Sequence, residues 1–484
     1  MTPAADALYN ALAARDPRFD GVFFVGVTST GIYCRPVCTA RTPKAANCRF
    51  FDSAAAAERA NFRPCLRCRP ELAPGNAPVD DAQRIASLVV QRIDEGMLDD
   101  GASLETIARH LGWSARQIRR IVQRELGVSP IELVMTRRLL LAKQLLTETT
   151  LPITQVAFAS GFSSLRRFND AFSVRYGIPP THFRRAADGV RRVHDSTDTL
   201  TLQLAYRPPF DWEGMLRFLS ARAMKGVERI QDDVYRRTVQ LGDRRGWITV
   251  RHAPERRALL VELAHSLTAA LPALLGRLRH LFDLSARPDI IAAQLAQDAL
   301  LTDSVRRHPG LRVPGAFDGF ELAVRAVLGQ QISVKAATTL AGRFVDAFGA
   351  PLETPHAGLD RVSPTPSRIA EATVDELASL GIIQSRARSI IALAREVTSG
   401  RLELSAGVDP DAAMTQLVAL PGIGAWTVHY IAMRALRWPD AFPKEDVVLR
   451  KMLGGASAAR ADERSQAWRP WRSYATLYLW QSAV

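Results

Sequence analysis

Four cysteines in two close pairs are the sequence feature that most constrains the fold of this chain. Three residues separate Cys34 from Cys38, and two separate Cys65 from Cys68. Two thiol pairs joined by one folded segment suit a tetrahedral zinc ion, whose thiolate ligands lie about 2.3 Å from the metal. The N-terminal segment around them is too short for a large core of its own, so the sequence predicts a small domain stapled by metal. Cys48 lies outside this spacing, and we expect it to be buried as a small apolar side chain.

Composition and charge narrow the class of protein further. The 484 residues carry 63 Lys and Arg against 49 Asp and Glu, a formal net charge of +14, and 47% of them are hydrophobic. The apolar content argues against wholesale disorder, and five cysteines are too few for a disulfide-stapled secreted scaffold. The N-terminus shows no signal-peptide pattern, and no apolar run is long enough to span a membrane. We expect a reducing cytoplasm and a polyanionic partner.

Two polar stretches, 73–78 and 191–199, divide the chain, and the last part changes character near residue 285. Alternating segments at 199–204 and 246–250 predict strands, and the sequence after 285 predicts helices. The predicted fold class is therefore a multidomain α+β protein. The predicted segments are 1–73, a small zinc-bound α/β domain; 79–187, an all-α domain; 198–284, a β-rich subdomain; and 285–484, a helical body.

An internal repeat marks the second of these segments. Gly112-Trp113-Ser114 recurs as Gly161-Phe162-Ser163, and each copy continues through a helix to a Gly and Pro stop. Ser114 and Gln117 predict a capping box, and Ser163 is expected to cap the equivalent helix of the second copy. The polar, mostly basic outer faces of these helices suit the major groove of DNA, with ordinary helix packing as the alternative. Candidate base contacts are Arg116, Gln117, Arg120, Arg166, Arg167 and Asn169.

A Pro-Gly-Ile-Gly hairpin precedes a predicted helix in the C-terminal segment. Gly422 and Gly424 let the backbone approach a phosphate, and the N–H groups that open the next helix point at it. This helix-hairpin-helix pattern indicates DNA binding rather than catalysis, and a turn between two core helices is the alternative. Asp446 follows Trp426 by twenty residues. A lone Asp near a turn is usually a helix cap, so spacing alone gives it no chemistry.

The residues around the cysteines add a resemblance. Thr30 to Arg41 and Phe62 to Cys68 resemble the N-terminal domain of the Ada-type adaptive-response regulators. The resemblance implies that Cys34 accepts a methyl group from a methylated DNA phosphate, with Cys38, Cys65 and Cys68 as the remaining zinc ligands. The residues alone do not say which of the four reacts, and a purely structural zinc stays the alternative. Arginines that could contact the DNA backbone are Arg35, Arg41, Arg63 and Arg67.

The second helix-turn-helix copy carries another resemblance. Gly161-Phe162-Ser163-Ser164, followed by Phe168, Phe172, Gly177 and Pro180, resembles the C-terminal half of the AraC-type DNA-binding domain. It implies sequence-specific regulation at a promoter operator. For activation we expect RNA polymerase as a partner, and we expect the protein to be a monomer.

The C-terminal part resembles the AlkA-type alkyladenine DNA glycosylases. The resemblance runs from Tyr206–Trp212 through Gly329–Val334 to Trp468–Tyr474. It implies that Asp446 is the catalytic aspartate and that Trp426 replaces the nucleophilic lysine of bifunctional relatives, which leaves a monofunctional enzyme. Gln331 stands where a relative uses a larger apolar wedge. The implied base pocket contains Trp426, Tyr430, Trp480 and Phe218.

All three resemblances point to alkylated double-stranded DNA. The combined hypothesis is a methyl-phosphotriester sensor and transcriptional activator joined to a DNA-3-methyladenine glycosylase, in the bacterial cytoplasm on the nucleoid. The alternative is a zinc-stabilised transcription regulator whose C-terminal part binds DNA without excising bases.

Overall fold

The chain folds into two compact units, each built from several separate stretches of the sequence. The computed structural model describes residues 5–74, 84–94, 96, 103–110, 113–187 and 199–483. No helix among them is both long enough and apolar enough to cross a membrane. Most of both predicted linkers and the predicted turn residue Gly112 lie outside the described residues. The first unit comprises Met1–Pro208, Ala253–Gly276 and Leu284–Ala286, and the second Pro209–His252, Arg277–Asp283 and Arg287–Val484.

The first unit opens with a small sheet flanked by helices. Its first elements are α1 (Ala5–Ala13), β1 (Phe24–Val27), β2 (Ile32–Cys34), β3 (Cys48–Phe51), α2 (Ala54–Arg59) and β4 (Arg63–Pro64). The strand order is β3-β1-β2-β4, with β1 antiparallel to both β2 and β3. This is the mixed α/β domain that the sequence predicts around the cysteines.

The pairing of β2 with β4 brings distant parts of this segment together. The two strands are parallel, with Tyr33 opposite Pro64. Because parallel strands end at the same edge, Cys34 at the end of β2 lies beside Cys65, which follows β4. The Cys65 N–H extends the ladder by donating to the Tyr33 carbonyl at 3.0 Å. The two cysteine pairs therefore meet through sheet topology rather than through a long flexible loop.

Seven helices follow, and two of them have the capped form expected of the repeat. They are α3 (Arg84–Asp94), α4 (Leu104–His110), α5 (Ala115–Leu126), α6 (Pro130–Glu148), α7 (Ile153–Ala159), α8 (Leu165–Tyr176) and α9 (Pro180–Ala187). Ser114 caps α5 in the predicted capping box with Gln117. The prediction for the second copy was wrong by one residue, because Ser164, not Ser163, accepts the Arg167 N–H at the start of α8.

A buried carboxylate joins the cysteine-bearing segment to these helices. Glu58 in α2 is 1% exposed. It accepts hydrogen bonds from Tyr33 Oη and Thr136 Oγ1, both at 2.9 Å, and Arg175 Nε lies 3.5 Å from its carboxylate. Burial raises the pKa of Glu58, while Arg175, Thr136 and Tyr33 oppose that rise. Glu58 therefore holds β2, α6 and α8 together through partners from all three.

The remaining strands pair in antiparallel fashion. They are β5 (Thr199–Ala205), β6 (Glu228–Gln231), β7 (Val234–Leu241), β8 (Arg244–Ala253) and β9 (Ala258–Ala264). In the first unit β5 pairs with β9 along its whole length, and in the second unit β7 pairs with both β6 and β8. The strands predicted at 199–204 and 246–250 are thus confirmed.

The rest of the chain is helical, as predicted. The helices are α10 (Trp212–Ser220), α11 (Leu271–Leu281), α12 (Pro288–Leu295), α13 (Ala299–Arg307), α14 (Gly319–Leu328), α15 (Val334–Phe348), α16 (Pro366–Ala370), α17 (Val374–Ala378), α18 (Gln384–Thr398), α19 (Pro410–Val418), α20 (Ala425–Arg434), α21 (Val447–Met452), α22 (Ala458–Ser465) and α23 (Arg472–Ser482). Short 3₁₀ helices occupy Pro17–Phe19, Ala45–Asn47, Pro70–Leu72, Pro254–Arg256, His265–Ala270 and Gln466–Trp468.

The packing of the second unit explains how its site is positioned. The apolar helix α14 is buried along almost its entire length and packs against α18 and α20. Helix α20 also packs against α19, and α23 packs against α13 and α21. Three helices, α20, α21 and α23, thereby acquire fixed orientations. Each of them carries or is capped by a residue of the candidate base site.

A Glu58→Ala substitution tests the link inside the first unit. Removing the carboxylate leaves Tyr33, Thr136 and Arg175 without their shared acceptor, and breaking a buried ion pair costs about 3–5 kcal/mol. We expect the free energy of unfolding of this unit to fall by about 3 kcal/mol, measured by urea denaturation followed by circular dichroism. Glu105→Ala is the control, since its pair with Arg119 is solvent-exposed. An equal effect of both substitutions would contradict the assigned role of Glu58.

Candidate functional site

The four paired cysteines form one cluster at the edge of the small sheet. The sulfur atoms of Cys34, Cys38, Cys65 and Cys68 all lie within 4.8 Å of one another. The Arg35 N–H donates to Cys68 Sγ at 3.3 Å. Four sulfur donors at such distances match the ligand set of a structural zinc site. The structure thus brings together all four residues that the sequence predicts as ligands.

The protonation of these thiols is strongly interdependent. The hydrogen bond from Cys34 lowers the pKa of Cys38 to about 7. Hydrogen bonding to Cys38 and Cys65 raises the pKa of Cys34 instead, because one sulfur must hold the proton that its neighbours accept. A cation among the sulfurs takes over the role of the shared protons, since metal-bound thiols are deprotonated.

The arginines proposed for the DNA backbone have different surroundings. Arg35 is 8% exposed, pairs with Asp20 and donates to the Cys68 carbonyl at 3.1 Å. Its guanidinium is therefore engaged by groups inside the domain, and its contact with the DNA backbone stays a prediction. Arg41, Arg63 and Arg67 are exposed. Cys48 is only partly buried, and its thiol donates to the Lys44 carbonyl at 3.4 Å.

Two helices present the predicted base-contacting residues. On α5, Arg116, Gln117 and Arg120 are exposed, but the Gln117 Oε1 already accepts the Ser114 N–H at 3.0 Å in the capping box. The core beneath α5 contains Ile118 and Val122, both fully buried. On α8, Arg166 and Arg167 are exposed and Asn169 is half-buried. Both helices thus direct arginines outward from an apolar underside.

In the second unit, one carboxylate receives three N–H donors. Asp446 caps α21 by accepting the Leu449 N–H at 2.9 Å. The indole N–H groups of Trp426 and Trp480 also donate to it, at 2.9 and 3.1 Å, each to a different oxygen. Asp446 is therefore a helix cap, as the alternative interpretation states, but it also accepts two indole N–H groups. Donors from α20 and α23 fix the carboxylate beside two half-buried indole rings.

Three aromatic rings lie close to this carboxylate and to one another. Trp426 and Tyr430, one turn apart on α20, stack with their ring centroids 5.1 Å apart and an interplanar angle of 11°. The Trp480 ring lies 6.4 Å from that of Tyr430. Phe218 lies nearby but makes guanidinium contacts instead, with Arg222 Cζ 3.8 Å and Arg434 Cζ 4.9 Å from its ring centroid. Asp446, Trp426, Tyr430 and Trp480 are called the aromatic slot below.

The hairpin between α19 and α20 contacts a neighbouring loop. Gly422 has a φ of +74°, and an added Cβ would lie 2.3 Å from Ser389 Oγ, so this position requires glycine. A Cβ on Gly424 would meet open space, which leaves this side of the hairpin accessible. Gln330 Nε2 donates to the Gly422 carbonyl and to Thr427 Oγ1, both at 2.9 Å. The next residue, Gln331, is exposed with a φ of +55°.

Two residues at this site were missed by the sequence analysis. Gln330 anchors the Gln331 loop to the hairpin, but it was treated only as part of a longer motif. Arg434 donates to Tyr430 Oη at 2.6 Å. The sequence could have indicated that Arg434 lies next to Tyr430, because residues four apart share one face of a helix and Trp426, Tyr430 and Arg434 have this spacing.

Comparison with known protein families accounts for nearly the whole chain. Residues 7–71 match the metal binding domain of Ada, and residues 107–186 match a helix-turn-helix domain. Residues 201–318 match the AlkA N-terminal domain, and residues 324–471 match the HhH-GPD superfamily of base excision DNA repair proteins. The four predicted segment boundaries remain a prediction.

A full-length relative decides the family. The probable bifunctional transcriptional activator/DNA repair enzyme AlkA of Mycobacterium tuberculosis is 42% identical over 98% of this chain and 95% of its own length. This chain belongs to the AlkA family. DNA-3-methyladenine glycosylase 2 of Escherichia coli is 35% identical over 57% of this chain and 95% of its own length. This AlkA-family chain therefore combines an Ada-type zinc-binding domain and a helix-turn-helix domain with a DNA repair enzyme, and DNA is its partner.

A solved structure shares the fold of the AlkA-family part. The 3-methyladenine DNA glycosylase from Archaeoglobus fulgidus superposes with a TM-score of 0.51 at 22% identity. The superposition covers 58% of this chain and 97% of the other. At this identity the likeness supports the β-rich subdomain and helical body as a fold.

Zinc content tests the metal centre. Cys38→Ser removes one of four ligands, so we expect bound zinc, measured by mass spectrometry after dialysis against a chelator, to fall at least tenfold. Cys48→Ser is the matched control, because Cys48 is outside the cluster, and it should retain one zinc per chain. Equal zinc loss in the two variants would argue against the four-cysteine site.

Proposed function

We propose that the second unit excises alkylated purines, 3-methyladenine among them, as a monofunctional DNA glycosylase. The observation that carries this proposal is the carboxylate of Asp446, held by two indole N–H groups at the edge of an aromatic slot. The slot adjoins a helix-hairpin-helix turn, since Trp426 is the second residue after Gly424. The name of the Escherichia coli relative, DNA-3-methyladenine glycosylase 2, agrees with this substrate class.

Recognition in this proposal depends on the electron-rich rings of the slot. A base must leave the DNA stack before an enzyme can reach its glycosidic bond. N-alkylated purines such as 3-methyladenine are cationic, and a cation over an aromatic face gains ~0.5–2 kcal/mol. Trp426, Tyr430 and Trp480 supply three such rings. The exposed Gln331, anchored through Gln330 to the hairpin, is the side chain proposed to fill the vacated position in the stack.

Asp446 is proposed to act on the sugar. As the C1′–N bond breaks, its electron pair leaves with the base and positive charge develops on the deoxyribose. The carboxylate stabilises that charge, because it is prepositioned and needs no reorganisation. Water then adds to C1′ and gives its proton to the carboxylate, which leaves an abasic site. Trp426 has no amine for a Schiff base, so the strand is not cut.

The cysteine cluster is proposed to repair the DNA backbone. Cys34, Cys38, Cys65 and Cys68 would hold the zinc ion, which would supply the positive charge that keeps them deprotonated, and the thiolate is the nucleophilic form. Cys34 Sγ bonds to the methyl carbon of a phosphotriester, while the C–O electron pair returns to the phosphate as a diester anion. The cluster loses one negative charge, which reduces its repulsion of the DNA backbone. The exposed Arg41, Arg63 and Arg67 are proposed to contact neighbouring phosphates.

Methylation is proposed to signal through the helix-turn-helix domain. Tighter binding to DNA would place α5 and α8 at a promoter operator, with RNA polymerase recruited there. The protein is proposed to act as a monomer in the cytoplasm, where DNA is present and the five cysteines remain free thiols.

The rate of base release tests whether Asp446 is the catalytic carboxylate. Asp446→Asn keeps the size of the side chain but removes the carboxylate charge, so we expect single-turnover release of 3-methyladenine from methylated duplex DNA to fall 10²–10⁴-fold, roughly the range of general-base losses. Asp303→Asn, at an exposed ion pair on α13, is the matched control and should keep the wild-type rate. An unchanged rate in Asp446→Asn would support the alternative of a DNA-binding regulator without catalysis.

Methyl transfer is measured separately. After incubation with methylphosphotriester DNA, peptide mass spectrometry is expected to show one methyl group on Cys34 and none on Cys38, Cys65 or Cys68. Cys34→Ser should remain unmodified. A persistently unmodified wild-type peptide would mean that the zinc is purely structural.

A further inference from the structure

Strand β5, which belongs to the AlkA N-terminal domain, is bound by side chains of the helix-turn-helix segment. It is the edge strand of its sheet, and an edge strand normally leaves a row of backbone groups unpaired. Here the Gln203 carbonyl accepts the Gln144 amide N–H at 3.0 Å, and the Gln203 N–H donates to Glu148 Oε2 at 3.2 Å. Both of these side chains belong to α6. Helix α6 therefore covers part of the edge of a strand that lies in a different domain.

Glu148 continues this connection toward the cysteine cluster. Arg69 Nη2 lies 2.9 Å from Glu148 Oε1, and Arg69 directly follows Cys68 in the chain. Both members of this ion pair are buried, so solvent and salt screen their attraction only weakly. One carboxylate thus joins the segment that carries a zinc ligand to the backbone of β5.

A second connection runs from the cluster to the end of β5. The Arg35 N–H donates to Cys68 Sγ at 3.3 Å, and Arg35 Nε donates to Asp20 Oδ1 at 2.7 Å. The Asp20 carbonyl accepts the Arg207 Nε–H at 2.8 Å. Arg207 lies two residues beyond β5 and also donates to the Ser285 carbonyl at 2.6 Å. Arg35, Asp20 and Arg207 are all buried.

These two paths together are called the junction below. The junction consists of Arg35, Asp20 and Arg207 on one path and Arg69, Glu148 and Gln144 on the other.

The backbone beside the junction is too closely packed to absorb a shift. Gly21, next to Asp20, has a φ of +75°, and an added Cβ would clash with the Pro74 carbonyl oxygen. Closely packed interiors have low compressibility and transmit strain. A displacement of Asp20 is therefore passed on to its hydrogen-bond partners.

We propose that the junction transmits the charge state of the cysteine cluster to strand β5, so that the Ada-type domain regulates the AlkA N-terminal domain of the same chain. The residues present fit a zinc ion, and four thiolates around it make the centre a net anion. Arg35 is buried between this anion and Asp20, so both balance its charge. When one thiolate becomes a thioether, the centre loses one negative charge and the buried guanidinium is less well compensated. The junction then weakens.

The expected response is a loosening of two strands. Because β5 pairs with β9 along its whole length, local opening of β5 frees backbone amides in both. The inference goes beyond the proposed methyl transfer, since it depends on the charge of the cluster and holds whichever sulfur is methylated. With the proposed transfer, a chain that has met a methylated phosphate would differ from an unmodified one in its AlkA N-terminal domain.

Hydrogen exchange of β5 and β9 tests the proposal. Full-length zinc-loaded protein carrying Cys48→Ser, which removes the thiol outside the cluster, is treated with methyl iodide. A cluster sulfur bonds to the methyl carbon and iodide leaves. We expect the backbone amides of 199–205 and 258–264 to exchange about threefold faster or more after methylation, measured by peptide mass spectrometry. The methyl groups per chain and the bound zinc are measured on the same sample.

Two variants interrupt the junction, one on each path. Arg207→Lys keeps the positive charge but lacks the fork of donors that reaches the Asp20 and Ser285 carbonyls. Gln144→Met replaces the amide that binds β5 by an apolar side chain of similar length. In both, we expect the exchange difference between methylated and unmethylated protein to shrink. Arg124→Lys is the matched control, since Arg124 pairs with its neighbour Glu125 at the surface of the same unit, and it should keep the full difference.

Each outcome supports or overturns the proposal. Equal exchange before and after methylation would overturn it, because the contacts would then serve only to hold the fold. A full difference in both folded junction variants would also overturn it, since the signal would bypass the junction. Faster exchange with loss of zinc would mean unfolding of the Ada-type domain and would count against it. A failure of methylphosphotriester DNA to modify Cys34 would refute only the proposed methyl transfer, because methyl iodide supplies the methyl group here.

Discussion

Two indole N–H groups that donate to one carboxylate are the interaction on which the second unit's site depends. Trp426 and Trp480 come from α20 and α23, and Asp446 caps α21. These hydrogen bonds form only if the three helices pack in a single arrangement. The buried helix α14 and the contact between α21 and α23 enforce that arrangement. The core of the unit therefore determines the position of a charge as well as the stability of the fold.

The two candidate centres solve the problem of buried charge differently. The four thiols of the metal centre lie within 4.8 Å of one another, so their charge as thiolates requires a bound cation as partner. Asp446 receives three N–H donors from the protein itself. Arg434, buried behind these rings, donates to the carbonyls of Pro314 and Gly315 and to Tyr430 Oη. The cysteine cluster suits the proposed methyl transfer from the DNA backbone, and the fixed carboxylate of Asp446 suits the proposed base excision.

Much of this architecture follows from short-range sequence patterns. The cysteine spacing, the capping box at Ser114 and the alternation in β5 each depend on residues close in the chain, and the structure confirms all three. The Ser163 cap failed by one residue because two adjacent serines satisfy the same pattern. Arg35 looked like a surface cation, since no local signal reveals its partner Asp20.

Contacts between segments that are distant in the sequence could not be predicted from short-range patterns. The role of Gln330 depends on Gly422, and that of Arg434 on the carbonyls of Pro314 and Gly315. Resemblance to known families supplied Asp446, whereas its own surroundings in sequence indicate only a helix cap. Periodicity identifies which residues share a face, but the partner of that face is fixed only when the whole chain is folded.

Glu58 has a consequence for how such a chain can be rearranged. Its carboxylate is satisfied by one group from its own segment, Tyr33, and by two from the helical segment, Thr136 and Arg175. Recombination that exchanged the cysteine-bearing module alone would separate Glu58 from Arg175. Each would then be buried or half-buried in a recombinant protein without its partner. The two modules are therefore expected to be inherited as a pair.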